Sequence, residues 1–150
     1  MSTWSAERRI SAATGYLLLR LGGLVRDRVE DELRRWRITG KELRVMSLAH
    51  DREASQRDLC ELSGLDRTTM VAVVDKLERL GYARRARSAA DRRKQLVLLT
   101  EEGRRAVEEA VTRMTEVEAD FLSPLDPAER ELLNEMIARL YTVHGTSRDY

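Results

Sequence analysis

The sequence predicts a mostly α-helical protein that carries one small β-hairpin. Apolar residues recur at spacings of three and four over long stretches, which is the period of an amphipathic helix, and capping signals precede most of these stretches. Between Gly81 and Thr100 the pattern changes to short alternating and apolar runs, which predicts two strands. A length of 150 residues suffices for one domain with a sizeable core, so we expect a single domain over residues 1–150.

The first helix is predicted from Ala6 to Trp36. Its apolar stripe consists of Ile10, Leu17, Leu18, Leu21, Val25, Val29, Leu33 and Trp36. A stripe of this length must bury against another surface to be stable in water.

Two capping patterns predict the next two helices. Thr39-Gly40-Lys41-Glu42 forms a capping box, so a second helix should start there and run to about Ala49. The pattern Ser55-Gln56-Arg57-Asp58 is a similar start signal for a short third helix. Gly64 then supplies the left-handed residue that ends this helix.

The fourth helix begins after the cap residue Asp66 and stops at Gly81, with Leu65 and Met70 placed to pack across the cap. A short helix, a glycine turn and a second helix form the helix-turn-helix pattern. The side of the fourth helix expected to face the core carries Met70, Val73, Val74 and Leu77.

The opposite side of the fourth helix has small side chains near its N-terminus, which let a helix sit deep in the major groove of DNA. Threonine hydroxyls bond base edges or phosphates, and threonine or alanine methyls touch thymine methyls. Asp75 and Glu78 lie further along, where phosphate would repel them. An ordinary amphipathic helix with a threonine-rich first turn is the alternative. The residues predicted to contact bases are Arg67, Thr68, Thr69, Val71 and Ala72.

The two strands are predicted at Tyr82 to Arg87 and at Gln95 to Leu99, joined by a loop that starts at Ser88. Residues 79–94 carry a net charge of +6, and the rest of the chain carries −5. A basic patch on an acidic body indicates contact with a polyanion at one place, although a solvated arginine-rich loop is the alternative for the patch taken alone.

A basic hairpin beside a helix-turn-helix is the layout of a winged helix that binds DNA. Arg93 is the best candidate for insertion into the minor groove, where narrow A·T-rich stretches concentrate negative potential. Asp91 is placed to accept hydrogen bonds from the Arg93 guanidinium, and Arg84, Arg85 and Arg87 are better placed to meet phosphates. The hairpin residues predicted to act at DNA are Arg84, Arg85, Arg87, Asp91, Arg92 and Arg93.

Two further helices complete the chain. Thr100 caps the fifth helix, and Asp126 with Pro127 starts the sixth. The apolar stripe of the fifth helix is Val107, Ala110, Met114, Val117 and Phe121. The side chains spaced along one side of the sixth are Leu133, Met136, Ile137, Leu140 and His144.

These residues resemble the MarR family. Asp91-Arg92-Arg93, followed by the strand up to Thr100 and by Gly103, resembles the DxR wing and the LT-x-x-G helix start of that family. The segment from Leu77 to Tyr82, with Arg85 following, resembles the end of its recognition helix and its first wing strand. The resemblance covers nearly the whole chain in length and helix order.

The resemblance implies a homodimeric transcription regulator with a winged helix-turn-helix fold. Residues 38–100 would form the DNA-binding lobe, and helices within residues 5–37 and 101–145 would interlock as the dimerisation region. The dimer would bind double-stranded DNA at a pseudo-palindromic promoter site, and the family favours repression over activation.

Many members of the family lose DNA affinity when they bind small aromatic or phenolic compounds, so the resemblance implies such an effector. The residues placed to line a pocket between the DNA-binding and dimerisation regions are Tyr16, Arg20, Trp36, Met46 and His50. The alternative is that Trp36 and Met46 belong to the core and that Arg20 and His50 lie on the surface. Some relatives sense peroxides through a cysteine near the start of the first helix, which this chain lacks; Cys60 is expected to be buried and inert.

The composition argues against other classes of function. The apolar runs are too short to span a bilayer, residues 1–11 show no signal peptide, and the single cysteine fits a reducing cytoplasm. The two histidines have no metal-ligand spacing, and neither a phosphate-binding glycine loop nor a nucleophile elbow is present, so we expect no enzyme, metal or cofactor. The alternative function is a winged-helix module whose basic wing docks on an acidic protein.

Overall fold

The computed structural model describes residues 6–11 and 13–145. Three predictions from the sequence fall partly on residues outside these ranges. They are the dimerisation boundary at residue 5, the two ends of the 1–150 domain, and the start of the segment that is predicted to contain no signal peptide. The helices are α1 (Ala6–Ser11), α2 (Thr14–Leu33), α3 (Gly40–Asp51), α4 (Gln56–Ser63), α5 (Arg67–Arg79), α6 (Glu101–Phe121) and α7 (Pro127–His144). The strands are β1 (Ala54–Ser55), β2 (Ala83–Arg87) and β3 (Gln95–Leu99). The prediction of a mostly helical fold with a small β-hairpin is confirmed.

The prediction of one helix from Ala6 to Trp36 is wrong in its continuity. Helix α1 ends at Ser11, and Ala13 is extended, with φ −71° and ψ 131°, before α2 begins. A 3₁₀ turn at Arg34–Trp36 follows α2, and Arg37 ends it with a left-handed φ of 61°. Apolar spacing does not detect the first break, because Ile10 and Leu17 keep a helical spacing of seven residues across it.

The sheet contains one strand more than the sequence predicted. Strands β2 and β3 form the expected antiparallel hairpin, in which Ala83 lies opposite Leu99. The short strand β1 pairs with the other edge of β3, so the sheet order is β1-β3-β2. A strand of two residues is too short to show an alternating pattern, which is why the sequence did not indicate it.

The core lies between α5, α3, the sheet and the first half of α6. The predicted inner face of α5 is confirmed as buried, and Leu65 and Met70 are both buried at the start of that helix. The inner face of α5 is Met70, Val73, Val74 and Leu77. The predicted capping residues also stand directly before their helices, and they are Thr39, Ser55, Asp66, Thr100 and Asp126. Because one face of α5 is held in the core, its other face must point away from the lobe.

The two ends of the chain leave apolar side chains exposed. Helix α7 buries none of its residues, and Ile137 and Leu140 remain 43% and 50% exposed. We call the following set the terminal apolar surface: Leu17, Leu18, Leu21, Met136, Ile137 and Leu140. Within the described ranges, none of the helices combines the length and apolar character that crossing a membrane requires.

Gly103 marks a close approach between α6 and Tyr82, the residue before β2. A Cβ atom at this position would lie 1.9 Å from the backbone oxygen of Tyr82. The same oxygen accepts the backbone N–H of Thr100 at 3.0 Å, and the Thr100 hydroxyl caps the N–H of Gly103 at 3.0 Å. Any larger residue at 103 would therefore push α6 away from the carbonyl that anchors its N-terminus.

We predict that Gly103→Ala lowers the free energy of unfolding by about 1–3 kcal/mol, the usual cost of overpacking a close contact. Urea denaturation at a fixed protein concentration measures the change. Gly15→Ala is the matched control, because a Cβ there meets no atom within 4 Å. Equal denaturation midpoints for Gly103→Ala and the unchanged protein would contradict the steric argument.

Candidate nucleic-acid interface

The exposed face of α5 carries the residues predicted to contact bases. Arg67, Thr68, Val71 and Ala72 are exposed, and Thr69 is half-buried. All five belong to the N-terminal half of the helix, and the buried face on the opposite side fixes their direction. This surface combines a charged group, hydroxyls and small apolar groups, which are suited to base edges and thymine methyls.

Thr69 differs from Thr68 because it serves the helix cap. Its hydroxyl donates to Asp66 Oδ2 at 2.7 Å, and its backbone N–H donates to Asp66 Oδ1 at 2.8 Å. These two hydrogen bonds, the one from the hydroxyl first, lower the pKa of Asp66 below its ordinary value. Thr68 is the more exposed of the two and therefore the better candidate for base contact.

The C-terminal half of α5 carries acidic side chains that are already paired within the protein. Asp75 Oδ1 accepts from Arg85 Nη2 at 2.7 Å, and Glu78 Oε2 accepts from Arg85 Nη1. The backbone N–H of Arg85 also donates to Glu78 Oε1 at 2.9 Å. The repulsion of phosphate predicted for these carboxylates is therefore reduced by a cation beside them.

Arg85, which the sequence predicts to meet phosphate, is bonded inside the lobe in the free protein. Its side chain is only 20% exposed, and it also donates from Nε to Gln56 Oε1 at 2.9 Å. A guanidinium that is bound by two carboxylates and an amide has its charge and its donors used inside the lobe. The basic character counted from the sequence thus overstates the charge that β2 presents to a partner.

Lys76 is also bound within the lobe. Its ammonium lies 2.9 Å from Oε2 of Glu42, a carboxylate that is largely buried at the start of α3. Burial acts to raise the pKa of Glu42, but hydrogen bonds from Thr39 and Lys76 outweigh it and the pKa is lowered. This ion pair ties the recognition helix α5 to the capping box of α3.

The wing, which we define as residues 83–99, presents its remaining arginines to solvent. Arg84, Arg87, Arg92 and Arg93 are exposed. They extend from β2 to the loop before β3, on the same lobe as the exposed face of α5. The wing therefore offers cations both along one strand and at its tip.

Asp91 shapes the wing tip in a way that the sequence did not predict. Its carboxylate accepts the backbone N–H of Arg93 at 3.0 Å, where a bond to the Arg93 guanidinium was predicted. Its backbone oxygen accepts the N–H of Lys94 at 2.9 Å, which closes the turn. Aspartate commonly bonds the main chain two residues on, and this local bond competes with the side-chain pair. Asp91 therefore orders the backbone of the tip.

The five residues predicted to line an effector pocket do not meet in one space. Tyr16 and Arg20 are exposed on α2, and Tyr16 lies about 26 Å along the helix axis from Leu33 at its end. Trp36 and Met46 are buried in the core. Within a single chain these residues are therefore not brought into one space, because helix α2 carries its N-terminal half away from the core, and the effector pocket stays a prediction.

His50 occupies a polar contact between α3 and α6. Its Nε2 lies 3.2 Å from Glu108 Oε1, and its Nδ1 lies 3.3 Å from Asp51 Oδ1. A different depression, of about 290 Å³, lies between α2 and α6. It is lined by Val117 and by five charged side chains, namely Arg28, Asp31, Glu32, Arg113 and Asp120. Arg113 and Glu32 bond one another there at 2.7 Å.

Cys60 is half-buried on α4 and packs against the core. Burial raises the pKa of its thiol, and nearby Asp66 adds to this effect. A raised pKa lowers the fraction of thiolate, which is the reactive form of cysteine. Within residues 6–11 and 13–145, no group of three or more histidine, cysteine or acidic side chains is placed to hold a metal ion.

Comparison with known proteins places this geometry among transcription regulators. A family model described as the MarR family matches residues 38–94, which extend from the segment before α3 to the loop before β3. The transcriptional regulator HosA of Escherichia coli is 28% identical over 104 residues, which cover 69% of this chain and 77% of HosA. The HTH-type transcriptional regulator PecS of Dickeya dadantii is 26% identical over 122 residues, which cover 78% of this chain and 74% of PecS.

Solved structures share the architecture over nearly the whole chain. CouR from Rhodococcus jostii RHA1, bound to p-coumaroyl-CoA, is 29% identical with a TM-score of 0.76, and the match covers 91% of this chain and 96% of CouR. A MarR-family transcriptional regulator from Rhodococcus sp. RHA1 is 27% identical with a TM-score of 0.72, and covers 95% and 96% of the two chains. The chain belongs to the MarR family of DNA-binding, winged helix-turn-helix transcription regulators.

Proposed function

We propose that this protein represses transcription as a homodimer that occupies a pseudo-palindromic site in duplex DNA. The observation that carries the proposal is the placement of an exposed, small-residue helix face and an exposed arginine wing on one lobe. The two features match the two grooves of DNA, since a helix fits the major groove and an arginine fits a narrow minor groove. Repression follows when such a site overlaps a promoter.

The terminal apolar surface supports the homodimer. Helix α7 buries nothing within its own chain, and the apolar side chains of α2 around Leu18 are similarly uncovered. Groups of exposed large apolar side chains mark protein interfaces. A second copy offers the same surface, and two-fold pairing would present two recognition helices to inverted half-sites.

The proposed contacts divide by chemistry. Thr68, Val71 and Ala72 contact base edges and methyl groups in the major groove, with Arg67 at the start of the helix reaching a base or a phosphate. Arg84, Arg87 and Arg92 contact phosphates, and Arg93 enters the minor groove. This set omits Arg85 from the phosphate contacts predicted from the sequence, and it assigns Thr69 and Asp91 to shaping the helix cap and the wing tip.

We also propose that a small aromatic or phenolic effector binds the protein and releases the DNA. CouR, whose structure contains p-coumaroyl-CoA, supports this chemistry because the p-coumaroyl group is phenolic. The residues first considered for the pocket do not converge in one chain, so we assign the effector no residues. We also propose that the protein acts in the cytoplasm, in keeping with its single cysteine.

We predict that selection from a random duplex pool, at physiological salt, recovers an inverted repeat with half-sites about 34–36 Å apart, centre to centre. Sequencing of the bound fraction measures this. Recovery of a motif in an excess of unrelated DNA supports specific binding. A folded dimer that recovers no motif would contradict the proposal and favour docking of the wing on an acidic protein.

We predict that Arg93→Ala weakens binding to the selected site by roughly ten- to a hundredfold, the scale of one well-placed contact in each half-site. Fluorescence anisotropy with labelled duplex measures the loss. Arg34→Ala is the matched control, because Arg34 is also exposed but lies at the end of α2, paired with Asp31. Retained affinity in a folded Arg93→Ala protein would remove the wing tip from the mechanism.

We predict that Leu140→Asp shifts the protein from dimer to monomer, because a carboxylate in an apolar interface is costly to bury. Sedimentation equilibrium at micromolar concentration measures the oligomeric state. Leu62→Asp is the control, since Leu62 is an exposed leucine of α4 outside the terminal apolar surface. A dimer that tolerates Leu140→Asp but not Leu62→Asp would place the interface elsewhere.

A further inference from the structure

Arg85 lies in the basic wing but directs its charge into the lobe. Its guanidinium bonds Asp75 at 2.7 Å and Gln56 at 2.9 Å, and it also pairs with Glu78. Its backbone N–H donates to Glu78 as well, at 2.9 Å. We call these four residues the Arg85 clasp.

The neighbouring arginine has a different environment. Successive side chains of a strand point to opposite faces, so Arg84 and Arg85 cannot both face α5. Arg84 is exposed opposite Leu98, whereas Arg85 is opposite the buried Val97 and keeps only 20% of its side chain exposed. Two adjacent residues of the same type therefore have separate physical roles.

The clasp joins three elements through one planar group. Asp75 and Glu78 are three residues apart on α5 and so lie on one side of that helix, toward β2. Gln56 is the first residue of α4. Because the guanidinium donates in fixed directions, satisfying all three acceptors restricts the rotation of β2 against both helices.

This restriction matters for binding to two grooves at once. The recognition helix α5 and the wing tip would contact successive grooves, so the angle between them decides whether both contacts form together. Strand β2 leads directly from the clasp to the tip, with Arg87 as its last residue. A wing that pivoted at β2 would lose Arg93 from the minor groove while keeping its charge near the DNA.

We propose that Arg85 is a positioning residue that sets the angle between the wing and the recognition helix and makes no phosphate contact of its own. The proposal rests on the proposed DNA-binding function. It predicts that affinity for the selected DNA site depends on the shape of the Arg85 side chain. If Arg85 contacted phosphate instead, the affinity would depend on its charge.

Arg85→Lys separates these two roles, because it keeps the charge and removes the planar fork. We expect its affinity for the selected site to fall by roughly tenfold or more, the scale of a misplaced contact in each half-site. We expect its affinity for unrelated duplex to stay unchanged, because non-specific binding depends on charge. Both affinities are measured by anisotropy, at a temperature where circular dichroism shows the variant fully folded.

Arg84→Lys is the matched control, since it makes the same exchange at the adjacent exposed position. Because Arg84 is placed at a phosphate and lysine keeps the charge there, we expect Arg84→Lys to leave the ratio of the two affinities unchanged. If Arg85→Lys keeps full affinity for the selected site while folded, the positioning role is overturned. If it lowers affinity for selected and unrelated duplex equally, Arg85 acts on the phosphate backbone and the proposal is again overturned.

Hydrogen exchange tests the clasp without DNA. The amides of residues 83–87 should exchange faster in Arg85→Lys than in Arg84→Lys, and equal rates would overturn the proposal. If Arg85→Lys does not fold, Gln56→Ala removes one acceptor without changing charge, and it should lower specific affinity with faster exchange in β2. Failure of the unchanged protein to select any motif would instead overturn the proposed function, and the exchange rates would still decide the role of Arg85.

Discussion

The position of every candidate DNA contact depends on how helix α5 is held in the lobe. Burial of Met70, Val74 and Leu77 fixes which side of the helix faces inward, and removing such side chains from water is the main stabilising term available to a small lobe. Ion pairs in the C-terminal half of the helix then fix its position relative to other elements. Lys76 ties the helix to Glu42 of α3, and Arg85 ties it to the wing. These contacts therefore determine which face of α5 remains exposed.

Helix α6 connects the DNA-binding lobe to the ends of the chain. Its first half contributes Val107 and Ala110 to the core of the lobe. Its second half pairs with α2, where Arg113 bonds Glu32. A continuous helix transmits displacement along its axis. A change in the packing of the terminal helices would therefore change the orientation of the two DNA-binding lobes in the proposed dimer.

The arginines of the wing illustrate how one residue type serves several purposes. Arg85 pairs with two carboxylates and so reduces their repulsion of phosphate, and its own charge is directed away from the surface. Arg84 and Arg93 keep their exposure, and Asp91 uses its carboxylate on the main chain rather than on a guanidinium. Local hydrogen bonds and strand alternation decide these roles, and neither depends on the net charge of the segment.

The sequence by itself determined the helices with strong caps, the inner face of α5, the hairpin and the family. These features follow from local rules, since a cap such as Asp66 or a stripe such as that of α5 acts within a few residues. The tertiary structure alone decided the break before Thr14, strand β1, the inward direction of Arg85 and the separation of Tyr16 from Met46. The direction of Arg85 and the separation of Tyr16 from Met46 depend on how elements distant in sequence are placed, and a strand of two residues shows no alternating pattern. The break before Thr14 leaves the apolar spacing intact, so the spacing does not indicate it. The steric need for Gly103 belongs to the same class, because the atom it must avoid lies on Tyr82, in the segment before β2.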